Sequence, residues 1–130
     1  MILDTSFLLD IRHSDANALT LATELDNNRV YQRISAITTA ELFAGVPRAE
    51  SPDTERQNIV AVALSKDIVP VDERIAQRAG RLHGTLQNAG QTVEMHDCFI
   101  AATALDYEEP VVTRNVDHFE RFDSVEVREY

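Results

Sequence analysis

At 130 residues and 44% hydrophobic content, the chain has the length and apolar material of one domain with a proper core, which excludes intrinsic disorder. No run of about 18 uncharged apolar residues is present, which excludes a membrane helix. A net charge of −10 argues against indiscriminate nucleic-acid affinity at low salt, because phosphates are repelled.

Met1–Leu3 is a short apolar run, expected as a strand, that reaches Asp4; Thr5–Arg12 then reads as a helix. Ser14–Asp15 starts a second helix through about Asn27, with Leu19, Ala22 and Leu25 along one stripe. The β-branched and aromatic content of Val30–Ile37 predicts a strand. Thr38-Thr39-Ala40-Glu41 opens a helix towards Gly45, and Ser51-Pro52 supplies an N-cap and first-turn proline for the next. Asp67–Val71 is expected as a strand ending at Asp72, followed by a helix over Glu73–Gln87 with Ile75, Ala79, Leu82 and Leu86 in period. Asn88-Ala89-Gly90 stops it, and Thr92–Met95 has no clear pattern. Asp97–Leu105 is so rich in small and apolar residues that it predicts a buried helix. Pro110–Thr113 is a strand, Val116–Phe122 a short helix and Val125–Val127 a last strand. Strands alternating with helices predict an α/β fold: a three-layer α/β/α sandwich around a mainly parallel sheet of about five strands, with residues 1–130 as one domain.

Cys98 is the single cysteine and Lys66 the single lysine. One cysteine excludes an internal disulfide, and the opening shows no basic, apolar leader; both fit a reducing cytoplasm. The acidic composition suits very salty cytoplasm, where ions screen self-repulsion, so charge alone does not veto a nucleic-acid substrate.

Four places along the chain put an acid just after a strand or at a helix start: Asp4, Glu41, Asp97, and the pair Asn115 and Asp117 after the fourth strand. In a parallel sheet these transitions share one edge, where ligands gather. Each has a structural alternative. Asp4, Asp97 and Asp117 suit helix N-caps or first turns, and Thr38-x-x-Glu41 matches a capping box. Several carboxylates brought together repel one another unless a cation sits among them, and hard oxygen ligands select Mg²⁺ or Mn²⁺. Such ions activate water and polarise phosphodiesters, the chemistry of a metal-dependent nuclease. Thr5, Ser6 and Thr113 are candidates for holding site carboxylates or substrate by hydrogen bonds, and Arg114 for meeting a phosphate, with turn formation or plain solvation as the alternatives. His96 is given a minor role at most, and His13, His83 and His118 none. Cys98 reads as core.

Asp4-Thr5-Ser6 after an apolar start resembles the opening of PIN domains. Thr39-Ala40-Glu41-Leu42-Phe43-Ala44-Gly45, Asp97-x-x-Ile100-Ala101-Ala102 and Thr113-Arg114-Asn115-x-x-x-Phe119 are similar to their later signatures, and the set resembles VapC-type toxins of toxin–antitoxin pairs. The resemblance implies a Mg²⁺- or Mn²⁺-dependent endoribonuclease, a homodimer, and inhibition by a cognate VapB-type antitoxin. It also implies that Asp4, Glu41 and Asp97 bind metal, with Asp117 or Asn115 in the fourth place. There the chain departs from the toxin pattern, since the residue immediately before the phenylalanine is His118 instead of an acid.

Three other readings compete. A receiver-like signalling domain needs a lysine after a late strand, and Lys66 precedes a middle one. A phosphatase with a second Asp two positions after its nucleophile fails because position 6 is Ser. A PIN fold kept only as an inactive binding module is the main alternative to the ribonuclease, and the three intact acids speak against it.

Overall fold

Ile2 and Leu3 are the centre of the molecule: both are fully buried and point to opposite faces of a sheet, as successive strand residues must. They form β1 (Ile2–Leu3) of the computed structural model, which describes residues 1–130. After it come α1 (Thr5–Arg12), α2 (Ala16–Asn27), β2 (Arg33–Ser35), α3 (Ala36–Ala44), a 3-10 turn at Val46–Arg48, α4 (Pro52–Ala63) and β3 (Asp67–Val69). The chain continues through α5 (Glu73–Asn88), α6 (Met95–Tyr107), β4 (Val111–Val112), α7 (Val116–Phe119) and β5 (Val127–Arg128).

The five strands lie in the order β3-β2-β1-β4-β5 and every pairing is parallel. Ile2 is in register with Arg33 on one side and Val111 on the other. Two cores fill the faces. Leu3, Ile34 and Val112 pack against α1, α2, α3 and α4 through Phe7, Leu25, Leu42 and Ile59. Ile2, Val69 and Val111 pack against α5, α6 and α7 through Ile75, Ala79, Ile100, Ala101 and Phe119. The α/β/α sandwich expected from the alternation is therefore present.

Several element bounds differ from the sequence reading, for local reasons. The strand read over Val30–Ile37 shortens to Arg33–Ser35 because the Ser35 hydroxyl caps α3, accepting from the Ile37 amide at 3.2 Å. Asp67–Val71 shortens to Asp67–Val69, and Asp72 caps α5 by accepting from the Ile75 amide. Ser51 does precede Pro52 at the start of α4, but its hydroxyl donates to Thr54 Oγ1 instead of capping the backbone. The buried helix begins at Met95, two residues before Asp97, so Asp97 lies in its first turn and is not its N-cap. The last helix ends at Phe119, and the last strand falls at Val127–Arg128.

Candidate active site

Because every strand is parallel, the carboxyl ends of β1, β2 and β4 lie along one edge, and Asp4, the start of α3 and Thr113 come with them. Asp4 is 3% exposed. It caps α1, with Oδ1 accepting the Thr5 amide at 2.7 Å. Its other oxygen, Oδ2, accepts the Ser6 hydroxyl at 2.6 Å and the Thr113 hydroxyl at 2.7 Å. Thr113 Oγ1 in turn accepts the Asn115 amide at 2.9 Å, which ties the chain after β4 to the chain after β1. The capping alternative for Asp4 is thus real, yet it occupies only one of the two oxygens.

Glu41 does not make the expected capping box. Ser35 is the N-cap of α3, so Thr38 falls inside the helix, buried with an unpartnered hydroxyl, and Glu41 stands in the second turn. Its Oε1 accepts the Thr5 hydroxyl at 3.0 Å. Asp97, in the first turn of α6, is buried, and its two oxygens face two histidines: His96 Nε2 at 3.3 Å from Oδ1 and His118 Nδ1 at 2.9 Å from Oδ2. His96 Nε2 also lies 3.8 Å from Glu41 Oε2, bridging the two acids.

Burial raises the pKa of both Glu41 and Asp97, and the charge of Asp4 adds to the rise in each. For Asp97 the main opposing influence is the His118 hydrogen bond; for Glu41 it is the charge of His96, followed by the Thr5 hydroxyl. Three carboxylates therefore stand within range of each other's fields. The basic side chains that the structure brings to Glu41 and Asp97 are His96 and His118. No arginine or lysine pairs with any of the three.

The remaining candidates fall at the rim. Asp117 and Asn115 are exposed, and neither side chain makes a hydrogen bond or ion pair; with Arg114 and His118 they line a neighbouring cleft. The Arg114 guanidinium turns to α1 and α2, 2.6 Å from Asp10 and 3.4 Å from Asp15, and Asp10 also accepts the Tyr130 hydroxyl. Cys98 is core as expected, and burial pushes its thiol pKa up to about 11, far from a thiolate nucleophile. Sequence reasoning missed the two histidines. His96 adjoins Asp97 and His118 adjoins Phe119, but neither has metal-ligand spacing along the chain, and only the packing of α7 beside α6 brings His118 to Asp97. The largest cleft, of about 610 Å³, lies elsewhere, between α5 and the chain after α7, with Arg81 and Phe122 among its walls.

Asp4, held by Thr5, Ser6 and Thr113, stands with Glu41 and Asp97 at one sheet edge, at the places the PIN-like signatures mark. Comparison of whole sequences agrees, for the PIN domain profile matches residues 1–125. The chain belongs to the PIN domain family. Among PIN proteins it is 31% identical to Ribonuclease VapC5 of Mycobacterium tuberculosis over 120 residues, covering 89% of this chain and 83% of that one. It is 25% identical to Ribonuclease VapC of Rickettsia bellii over 130 residues, 98% and 93% of the two chains. The solved VapBC-5 toxin–antitoxin structure from Mycobacterium tuberculosis shares 30% identity and a TM-score of 0.70, with 99% and 97% coverage. VapBC2 from Rickettsia felis, bound to a DNA fragment from its promoter, shares the PIN fold with a TM-score of 0.89 at 20% identity, with the same coverage.

Proposed function

We propose that this chain is a divalent-metal-dependent endoribonuclease, residues 1–130 working as one PIN domain, and that it is the toxin of a type II toxin–antitoxin pair. The observation that carries the reading is the meeting of Asp4, Glu41 and Asp97 with no fixed cation on any of them. Burying carboxylates together costs stability, and a divalent ion offsets that cost. Hard oxygens offered from β1, α3 and α6 suit Mg²⁺ or Mn²⁺. The names of the VapC relatives support RNA as the substrate, and the VapBC complexes among the solved structures support a VapB-type antitoxin as the partner. The same family likeness supports a homodimer, and the single cysteine supports a reducing cytoplasm.

When bound, the metal would lower the pKa of a water and balance charge on the phosphodiester. The chain's own contribution is positioning. Thr5, Ser6 and Thr113 lock the Asp4 carboxylate, and the Thr5 hydroxyl aims Glu41, so neither acid must reorganise when substrate arrives. Arg114, held out by Asp10 and Asp15 at the same edge, is the cation offered to an incoming phosphate. Hydrolysis leaves a 5′-phosphate and a 3′-hydroxyl.

The test is cleavage of a labelled, structured RNA pool in high KCl with Mn²⁺ or with EDTA, comparing wild type and Asp97→Asn. Cutting that requires both the metal and Asp97 is the expected result. A folded wild type that cuts none of several RNA pools and also fails to bind Mn²⁺ in calorimetry would overturn it in favour of an inactive binding module, whereas Mn²⁺ binding without cutting would point to a narrowly specific toxin.

A further inference from the structure

The largest cleft, between α5 and the chain after α7, gathers Arg78, Arg81 and Arg121 against one carboxylate, Asp123. Elsewhere Arg12, Arg33, Arg74, Arg114 and Arg128 each have a carboxylate within 3.6 Å. Around the cleft the guanidiniums are far less engaged. Arg81 is exposed on α5 and makes no hydrogen bond or ion pair, and Arg78 comes no nearer than 3.9 Å to Asp106. Arg121 gives Nη1 to the Thr92 carbonyl at 2.6 Å, which leaves the rest of its fork free. The walls between them are apolar, with Leu86 and Phe122 buried and Leu82 and Leu105 partly buried. On a chain of net charge −10, this is a local excess of positive charge beside an apolar surface.

We infer that this cleft is a docking site for single-stranded RNA, apart from the acidic edge, with phosphate on Arg81 and Arg121 and a base against Leu82 and Leu105. The inference rests on the ribonuclease reading above. Guanidinium forks match phosphate oxygens, and every base has a flat face that an apolar wall can cover. A volume of about 610 Å³ lies within the roughly 300–1,000 Å³ of pockets that take small organic ligands, so a nucleotide unit fits. A run of carboxylates in an acidic peptide would satisfy the arginines but leave Leu82 and Leu105 facing water. The cleft also leads somewhere. Thr92, which Arg121 grips, belongs to the turn before α6, and the first turn of α6 carries Asp97. A strand held here is thus kept near carboxylates that would otherwise repel it.

Fluorescence anisotropy in EDTA tests this without cleavage, using a labelled mixed-sequence RNA of about 20 nucleotides, longer than most single-strand sites. Arg81→Gln removes a side chain with no contacts, and Arg56→Gln on α4, in the opposite layer, makes the same charge change as a control. Arg81→Gln should weaken binding about three- to tenfold, and Arg56→Gln should match wild type. The slope of log affinity against log KCl should change by about 0.7 in Arg81→Gln, one phosphate contact on a single strand. Repulsion by the rest of the surface is common to both proteins, so the difference between slopes isolates the arginine. Arg81→Lys, which keeps the charge, should keep the slope. In Mn²⁺, Arg81→Gln should raise KM for RNA cleavage more than it lowers kcat. Equal affinity and equal slopes in wild type and Arg81→Gln would overturn the docking site while cleavage leaves the ribonuclease reading standing. Binding of polyglutamate without binding of RNA would overturn it in favour of an acidic peptide. A wild type that binds no RNA, cuts none and takes up no Mn²⁺ would overturn both.

Discussion

Thr5 serves two carboxylates at once, giving its amide to Asp4 and its hydroxyl to Glu41. Thr5→Val keeps the shape and the amide but frees Glu41. Metal affinity measured by calorimetry should fall about 10–100-fold, the range for lost supporting hydrogen bonds, with the circular dichroism spectrum unchanged. Asp97 gives a prediction of opposite sign for stability. Burial raises its pKa, so the stability it allows is complete below the ordinary carboxylate range and is lost as pH rises through the folded value. In EDTA, Asp97→Asn should therefore melt above wild type at pH 7.5, with the gap closing as pH falls towards about 4. A variant that melts below wild type at pH 7.5 would show that the histidine contacts outweigh burial. At this scale Asp4, Glu41 and Asp97 could be singled out from the sequence because Asp4 follows a strand, Asp97 stands at a helix start and Glu41 lies a turn into the helix after another strand, all at one sheet edge. Glu41 was ambiguous only through Thr38, whose capping role passes to Ser35. His118 was not legible because its partner lies on another helix, 21 residues away.

Among the elements, α7 is the smallest helix and the one most dependent on a single side chain. Its four residues cannot hold a helix by backbone hydrogen bonds alone, and Phe119 fastens it to the core beside α6. Phe119→Ala should cost about 3–5 kcal/mol in urea denaturation and move His118 off Asp97. A large loss of stability with the His118 NMR signals unshifted would separate anchoring from positioning. α6 fails in the other direction: Ala101, Ala102 and Ala104 are buried with no room to grow, so Ala101→Leu should cost about 1–3 kcal/mol. That helix was legible from its small apolar residues, and α5 from its period. The strands were less so, because two or three residues of ladder carry too little pattern to mark their ends, and a cap such as Ser35 decides where each one stops.

Over the whole molecule, 22 acidic residues face 12 basic ones. The ion pairs between them are mostly at the surface, where each contributes about 0–1 kcal/mol, so excess negative charge governs the response to salt. Raising KCl from about 0.1 M to about 1 M shortens the screening length from about 10 Å to about 3 Å and should raise the melting temperature; a flat or falling curve would mean that the ion pairs dominate.

The hydrogen bond from Thr113 to Asp4 joins residues 109 positions apart. β1 cannot take its place in the middle of the sheet until β4 has been made, and α7 follows later still. At roughly 5–20 residues per second, synthesis keeps the first carboxylate waiting several seconds for the hydroxyl that fixes it. A nascent chain therefore carries Asp4 without the hydroxyl that fixes it, and the acidic edge is assembled only after residue 113 has been made, late in synthesis.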